Sequence, residues 1–282
     1  MFLSSDSLIC ENDEMKLKFK FKYLIPIIGA LLVAVFGYGW HIKDVYTGFV
    51  ASTDAGDPYF PRETLESYGQ QILDDLIEKD VKLAVISRAG STRNKLPEGV
   101  MFTHTAFFRR NAQGGYDTYN LYHGDEIRTQ SSLKVDKPTD FLRHLREHDS
   151  GILIPDAATQ DILHDFIVTP EYAALHNDNY SLISNPLDLR WQNCNEFMLY
   201  AIASAVWKSD DKSVLRDKLS KTIAPKELKV SKIRRHFGPK IDERLILDDH
   251  GEKIATTTFS TLTQFFAATE RLDESYILTF ER

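Results

Sequence analysis

Cys194 opens the segment that reads as the strongest helix in the chain, and that position is chemically suggestive. Asn193 stands where an N-cap belongs and Glu196 follows three residues later, an Asn-x-x-Glu capping arrangement. Cys194 is then the first helical residue, where free backbone N–H groups and the positive end of the helix dipole favour a thiolate. The same N–H groups could bind the oxyanion that forms when a thiolate attacks a carbonyl. A core cysteine would show the same pattern, because Phe197 and Met198 place Cys194 on the core-facing side of the helix. Both readings stay open on the residues alone.

A thiolate nucleophile needs a base, most often histidine. Among nine histidines, His104 stands out because it lies within a strand, Met101–Arg110, on the face shared by Phe102, Ala106 and Phe108. A satisfied structural histidine fits that place as well as a catalytic one. A second strand, Tyr116–His123, follows the hairpin loop 111–115. If Arg110 faces Tyr116, His104 lies opposite Tyr122 and Asn120 is its diagonal neighbour on the same face. Asn120 could then accept the imidazole N–H and orient the ring. A bulge at Gly114 or Gly115 would instead bring His123 opposite His104. Asn120 is the first choice for the third member and His123 the second.

The chain that must position these groups has 282 residues, 43% hydrophobic and 27% charged, with a formal charge of −7. Such a chain buries a core, which excludes a disordered acidic tail protein and a polytopic membrane protein. The acidic balance argues against a nucleic-acid binder. Two cysteines, Cys10 and Cys194, leave no disulfide framework and no four-thiolate zinc site. Residues 1–22 form a basic tail with Lys16, Lys18, Lys20 and Lys22, and residues 23–40 are uncharged. That run suits an uncleaved membrane anchor, or else a signal peptide, with the lysines cytoplasmic. The rest of the chain is expected in the periplasm, on the inner membrane if the anchor stays and free after cleavage. Residues 41–60 read as a linker and 61–282 as one domain.

Within it, Pro61 starts an amphipathic helix ending near Asp80, and Lys82–Arg88 is a short strand. Phe141–His148 reads as helical and Ile152–Ile154 as a brief strand. Helices follow at Ala157–Phe166 and Glu171–Leu175, with an extended piece at Tyr180–Ser184. After the helix Trp191–Lys208, with its apolar stripe, come a helix at Ser213–Thr222, a basic segment, and a mixed region ending in a strand, Tyr276–Phe280. The class is α+β, a small antiparallel sheet packed on the cysteine-bearing helix.

Arg88-Ala-Gly after a strand, Phe102-Thr-His104-Thr-Ala-Phe, Tyr119-Asn-Leu-Tyr122 and Gln192-Asn-Cys194-Asn-Glu-Phe197 occur in that order. This series resembles the circularly permuted papain-like (NlpC-type) hydrolases, in which the strand histidine precedes the helix cysteine. Residues 61 to about 270 more closely resemble a bacterial envelope family, domain of unknown function 2145, with Leu96-Pro-Glu-Gly-Val100 and Tyr172-Ala-Ala-Leu-His176 adding to the match. The papain-like resemblance implies a papain-like fold, Cys194 as nucleophile, His104 as base and a polar third residue on the next strand. Permuted relatives often carry Glu or His there, where this chain offers Asn120.

His144-Leu-Arg-Glu-His148 matches the H-x-x-E-H zinc pattern, with both histidines on one helical face. Asp149-Ser-Gly151 ends that helix at once, and no third ligand can be assigned, so no metal and no cofactor are expected. The segment Lys226–Lys240 could meet anionic lipid or a cell-wall polymer, although a solvated face is the plainer reading. The expected function is that of a cysteine hydrolase or acyltransferase acting on an amide or ester of the cell envelope. The alternatives are a non-catalytic binding module of the same fold and, behind it, a zinc hydrolase. For the topology, a reporter fused after Arg282 should be active only when exported; activity in the cytoplasm from a chain that fractionates as soluble would contradict it.

Overall fold

A computed structural model describes residues 28–30 and 58–280. The chain divides into two units, Met1–Asp44 and Val45–Arg282. In the first, Ile28–Ala30 are helical and exposed. The rest of the expected membrane segment, the basic tail, Cys10 and most of the linker lie outside the described residues. Among the described residues no helix is long and apolar enough to cross a membrane.

The second unit begins with α1 (Arg62–Glu78), entered through Pro61, followed by β1 (Leu83–Arg88). The hairpin of β2 (His104–Arg110) and β3 (Tyr116–His123) comes next, then β4 (Ser131–Asp136), α2 (Pro138–Leu142) and β5 (Asp149–Pro155). Beyond these lie α3 (Ala157–Phe166), α4 (Pro170–Ala174), α5 (Cys194–Trp207) and α6 (Lys212–Thr222). The chain continues through β6 (Lys226–Leu228), α7 (Lys232–Ile241), β7 (Ile254–Thr256), α8 (Phe259–Ala268) and β8 (Leu272–Thr279).

The sheet has the order β4-β3-β2-β1-β5-β8, with every neighbour antiparallel. The C-terminal strand therefore closes the edge beside β5. β6 and β7 form a separate two-stranded ribbon. The class is α+β.

Strand alternation sorts the two faces of the sheet. Ala84, Ile86, Ala106, Phe108, Ile152 and Ile154 pack with Leu65, Tyr68, Ile72 and Leu76 of α1 and with Phe141 and Leu142 of α2. The intervening residues meet α5: Phe107 lies against Tyr172, which packs edge-on to Phe197, and Thr105 donates to Asn195. α5 is buried all round from Cys194 to Ala205, so it is a central helix and not the one-sided stripe its spacing suggests.

The helix expected over Phe141–His148 is not present. Its helical part ends at Leu142, because Arg146 N–H bonds to the Ala89 carbonyl at 2.8 Å and Asp149 already starts β5 beside β1. His144 and His148 therefore do not share a helical face, which removes the geometry that H-x-x-E-H needs. His148 instead packs against the Phe60 ring, and Glu147 accepts from the Arg93 N–H at 2.5 Å.

Gly151 of β5 is crowded on its side-chain side. A methyl there would lie 2.6 Å from the Phe102 ring and 2.9 Å from that of Phe259, two rings in edge contact at 5.3 Å. Gly151→Ala should lower unfolding free energy by roughly 1–3 kcal/mol through overpacking, read as a lower urea midpoint. An unchanged midpoint would mean that this aromatic pair yields freely.

Candidate active site

The site gathers at the head of β2. The hairpin loop is closed by Asn111, whose N–H bonds to the Gly115 carbonyl at 2.8 Å, while Gly114 takes φ +84°, a conformation glycine adopts without strain. Pairing runs without a slip from Arg110–Tyr116 to Ala106–Asn120. His104 and Asn120 consequently share a face, and the His104 ring stacks on Tyr122 with centroids 5.0 Å apart.

His104 Nε2 lies 3.1 Å from Asn120 Oδ1, and the Asn120 amide donates to Asp136 Oδ2 at 3.1 Å. That second bond determines the first. Asp136 accepts, so Asn120 must present its nitrogen to Asp136 and its oxygen to His104. The imidazole then carries its proton on Nε2, and Nδ1 keeps a lone pair. This Nδ1 is buried and has no hydrogen-bond partner among the described residues. Burial first, then the charge of Arg88, holds His104 well below the usual histidine range. It is a neutral imidazole with a free basic nitrogen.

Cys194 occupies the first position of α5 as its sequence indicates. The Asn193 side chain accepts from the Glu196 N–H at 2.9 Å. The capping arrangement is not reciprocal: the Glu196 carboxyl turns inward and accepts from Ser184 Oγ at 2.5 Å. Burial pushes that carboxyl well above its ordinary range. The Cys194 sulfur lies 3.7 Å from the Thr103 carbonyl oxygen and takes a backbone hydrogen bond from Thr105, so it rests against β2 on both sides of residue 104. Past Ala106–Asn120 the β2–β3 ladder has ended, and the thiol meets the β2 backbone there. The His104 ring lies on the Phe141 face, opposite the face on which α5 packs, and no hydrogen bond joins it to Cys194: Nε2 meets Asn120, Nδ1 has no partner among the described residues, and the thiol meets Thr103.

Cys194 is only 2% exposed. Burial pushes its thiol up to about 11, against the opposing pull of the Thr105 N–H, the Arg88 charge and the N–H groups at the helix start. The depressed value expected for a reactive thiol is therefore not found, because desolvation outweighs the helix terminus. A cleft lined by Phe102, Thr103, Leu182, Thr257 and the two neighbours of Cys194 in the chain, Asn193 and Asn195, holds about 20 Å³, room for a water and no more; Cys194 itself does not line it.

His123, the second choice for the third position, points elsewhere. With no bulge in the hairpin it falls on the other face, where Nδ1 bonds to the Gly124 carbonyl at 2.8 Å. Its Nε2 accepts from Arg244 at 3.0 Å, and Arg244 is itself clamped by Asp242. Burial lowers His123 to about 4, so it too is neutral.

Two participants were missed in the residue pattern. Arg88 is fully buried, faces His104 in the β1–β2 register, and lies over the Phe141 ring at 5.3 Å. It interacts with Tyr122 and electrostatically with Cys194. Its place at the end of a buried strand was the only available sign. Asp136 lay in a strand, β4, that had not been recognised. Among the described residues no group of three His, Cys, Asp or Glu side chains could hold a metal ion.

The profile of a bacterial family described as an uncharacterised protein conserved in bacteria, domain of unknown function 2145, matches residues 75–266. The chain belongs to this family. The matched span runs from the end of α1 into α8 and so includes every residue of the site just described. No curated protein and no solved structure matches the chain.

The buried neutral imidazoles carry a pH signature. A histidine whose folded value is depressed must take up a proton on unfolding in acid, so its contribution to stability is present above the unfolded value near 6.5 and is lost as pH falls. For His123 that window runs from about 6.5 down to about 4, and His104 acts in the same direction. The urea midpoint should fall steadily from pH 7 to pH 4.5. A midpoint that stays level over that range would contradict burial of these two rings.

Proposed function

We propose that this protein is a papain-like cysteine hydrolase or acyltransferase of the cell envelope, described here in a closed state. The observation that carries the reading is His104 Nδ1: a buried lone-pair nitrogen without a partner among the described residues, its tautomer set by Asn120 and Asp136, on the strand whose backbone at Thr103 meets the thiol at the start of α5. Buried polar groups are nearly always paired, so an unpaired basic nitrogen calls for an occupant. A thiol proton supplies one.

In the proposed reaction the Cys194 S–H proton passes to His104 Nδ1 as the sulfur attacks the carbonyl carbon of an amide or ester. The oxyanion is met by backbone N–H groups at the start of α5. Collapse expels an amine or alcohol, which takes the proton from His104 and leaves a thioester. Water, deprotonated by His104, or an acceptor nucleophile then releases the acyl group. Arg88 supplies a permanent positive charge that favours the thiolate and disfavours a protonated His104, so transfer accompanies attack instead of preceding it. With Cys194 only 2% exposed, substrate entry requires the packing around the thiol to open. The lysines before residues 23–40 support placing the domain outside the cytoplasm.

A second reading is favoured by one observation, the burial of the thiol: a binding module in which Cys194 and His104 are structural. Alkylation of the Cys10→Ser chain by an iodoacetamide probe separates the two. If the site is catalytic, Cys194 is labelled at neutral pH, and His104→Gln slows labelling by roughly 10²-fold or more, as loss of a general base does. Asn120→Ala and Asp136→Ala should each cost less, about 10-fold, and similarly, since both act on ring orientation. Labelling that rises only towards pH 11 and ignores His104 would establish the module.

A further inference from the structure

We propose that α7 is a membrane-surface helix that seats on anionic phospholipid headgroups, independently of the chemistry assigned to Cys194. Ser231 caps this helix, and Arg235 fixes its inner side by donating to the Glu252 carbonyl at 2.6 Å and to that of Gly251, with Gly238 buried beneath. The outer face is thereby set. It presents Lys232, Ile233, His236, Phe237 and Lys240. Ile233 is 50% and Phe237 45% exposed, one turn apart.

The charges on this helix differ from those beside it. Lys229 is bound to Glu98 at 2.9 Å and Lys253 to Glu227 at 2.7 Å. Among the described residues, no carboxylate lies at ion-pair distance from Lys232, Arg234 or Lys240. Lys240 Nζ instead bonds to His236 Nε2 at 3.2 Å and sits 5.3 Å from the centre of the Phe237 ring, both on the same helix. Open cations around two exposed apolar side chains, in a chain whose net charge is −7, complement a negative surface that also offers hydrocarbon. A polyanion such as nucleic acid or a wall polymer would use the cations and leave Ile233 and Phe237 in water. A lipid headgroup layer uses both.

The test is peptide-resolved hydrogen exchange on the full chain, which separates α7 from any membrane contact made by residues 23–40. The chain is mixed with phosphatidylcholine vesicles, with or without phosphatidylglycerol. Peptides spanning Lys232–Ile241 should exchange at least ~5-fold more slowly with the anionic vesicles alone, a protection weakened by added salt. Ile233→Ser with Phe237→Ser, and separately Lys232→Glu with Lys240→Glu, should each abolish that protection while exchange in the central sheet stays unchanged. Equal exchange with both vesicles, protection by neutral vesicles, or protection surviving charge reversal would each overturn the proposal. Protection given only by an acidic protein would assign the face to a protein partner and overturn it equally.

Discussion

The antiparallel register of β2 and β3 governs what the head of the sheet can do. With Ala106 opposite Asn120, the amide of Asn120 stands between the His104 ring and Asp136. An amide has a donor end and an acceptor end, so Asp136 at one end dictates what the other offers. Shifting the register by one residue would turn His104 or Asn120 to the opposite face and dissolve the arrangement. The turn at Gly114, the absence of a bulge and the position of β4 are therefore not background to the site. They select the protonated nitrogen of the imidazole.

Burial and activation oppose one another at Cys194. The rise of the thiol from 9.0 to about 11 corresponds to roughly 3 kcal/mol against the thiolate. A helix terminus contributes about 0.3–1 kcal/mol, at most ~2 in a favourable buried geometry. Burial wins even with Arg88 nearby. Burial likewise depresses His104, so the neutral form is favoured for the imidazole as it is for the thiol. Exposure to solvent would move both groups towards their ordinary values. Leu182 and Thr256–Thr258 line a cleft of about 20 Å³ at this end of the sheet, too small for more than a water.

Local features were legible in the sequence where local physics decides them. The β2–β3 hairpin, its register, the Asn193 cap and the start of α5 at Cys194 all follow from turn chemistry, alternation and capping. The helix over Phe141–His148 failed because its residues share a helical pattern that the sheet overrides: β5 claims Asp149 onward, and Arg146 is drawn to Ala89. Strand β4, with exposed Val135 and alternating polar residues, lacked the apolar run that marks a strand, so Asp136 escaped notice. Arg88 was quoted only as part of a motif, since nothing local distinguishes a buried arginine from an exposed one. Its role depends on long-range neighbours, Phe141, Tyr122 and Cys194, from three other elements. The same limit applies to His123, whose partner Arg244 is far along the chain.

The polar content of this region is costly for a core. Arg88, His104, Asn120 and Thr105 are all fully buried around the end of β2, and His104 Nδ1 and Thr257 Oγ1 have no hydrogen-bond partner among the described residues. Each unmade bond of this kind costs about 1–3 kcal/mol, a large share of a domain's net stability of roughly 5–15 kcal/mol. The opposite end of the same sheet shows the ordinary solution: Tyr116 buries its ring and donates its hydroxyl to the Val81 carbonyl. Unpaired polar atoms are not confined to one end, however: Thr118 Oγ1, two residues beyond Tyr116, is also buried without a partner among the described residues. At the head of β2 the start of α5 meets the strand's backbone at Thr103, while the tautomer-fixed His104 ring lies on the other face. An apolar side chain of similar shape at position 104 would remove the unmade bond at Nδ1, so the imidazole is held there at a cost in stability that its single bond to Asn120 offsets only in part.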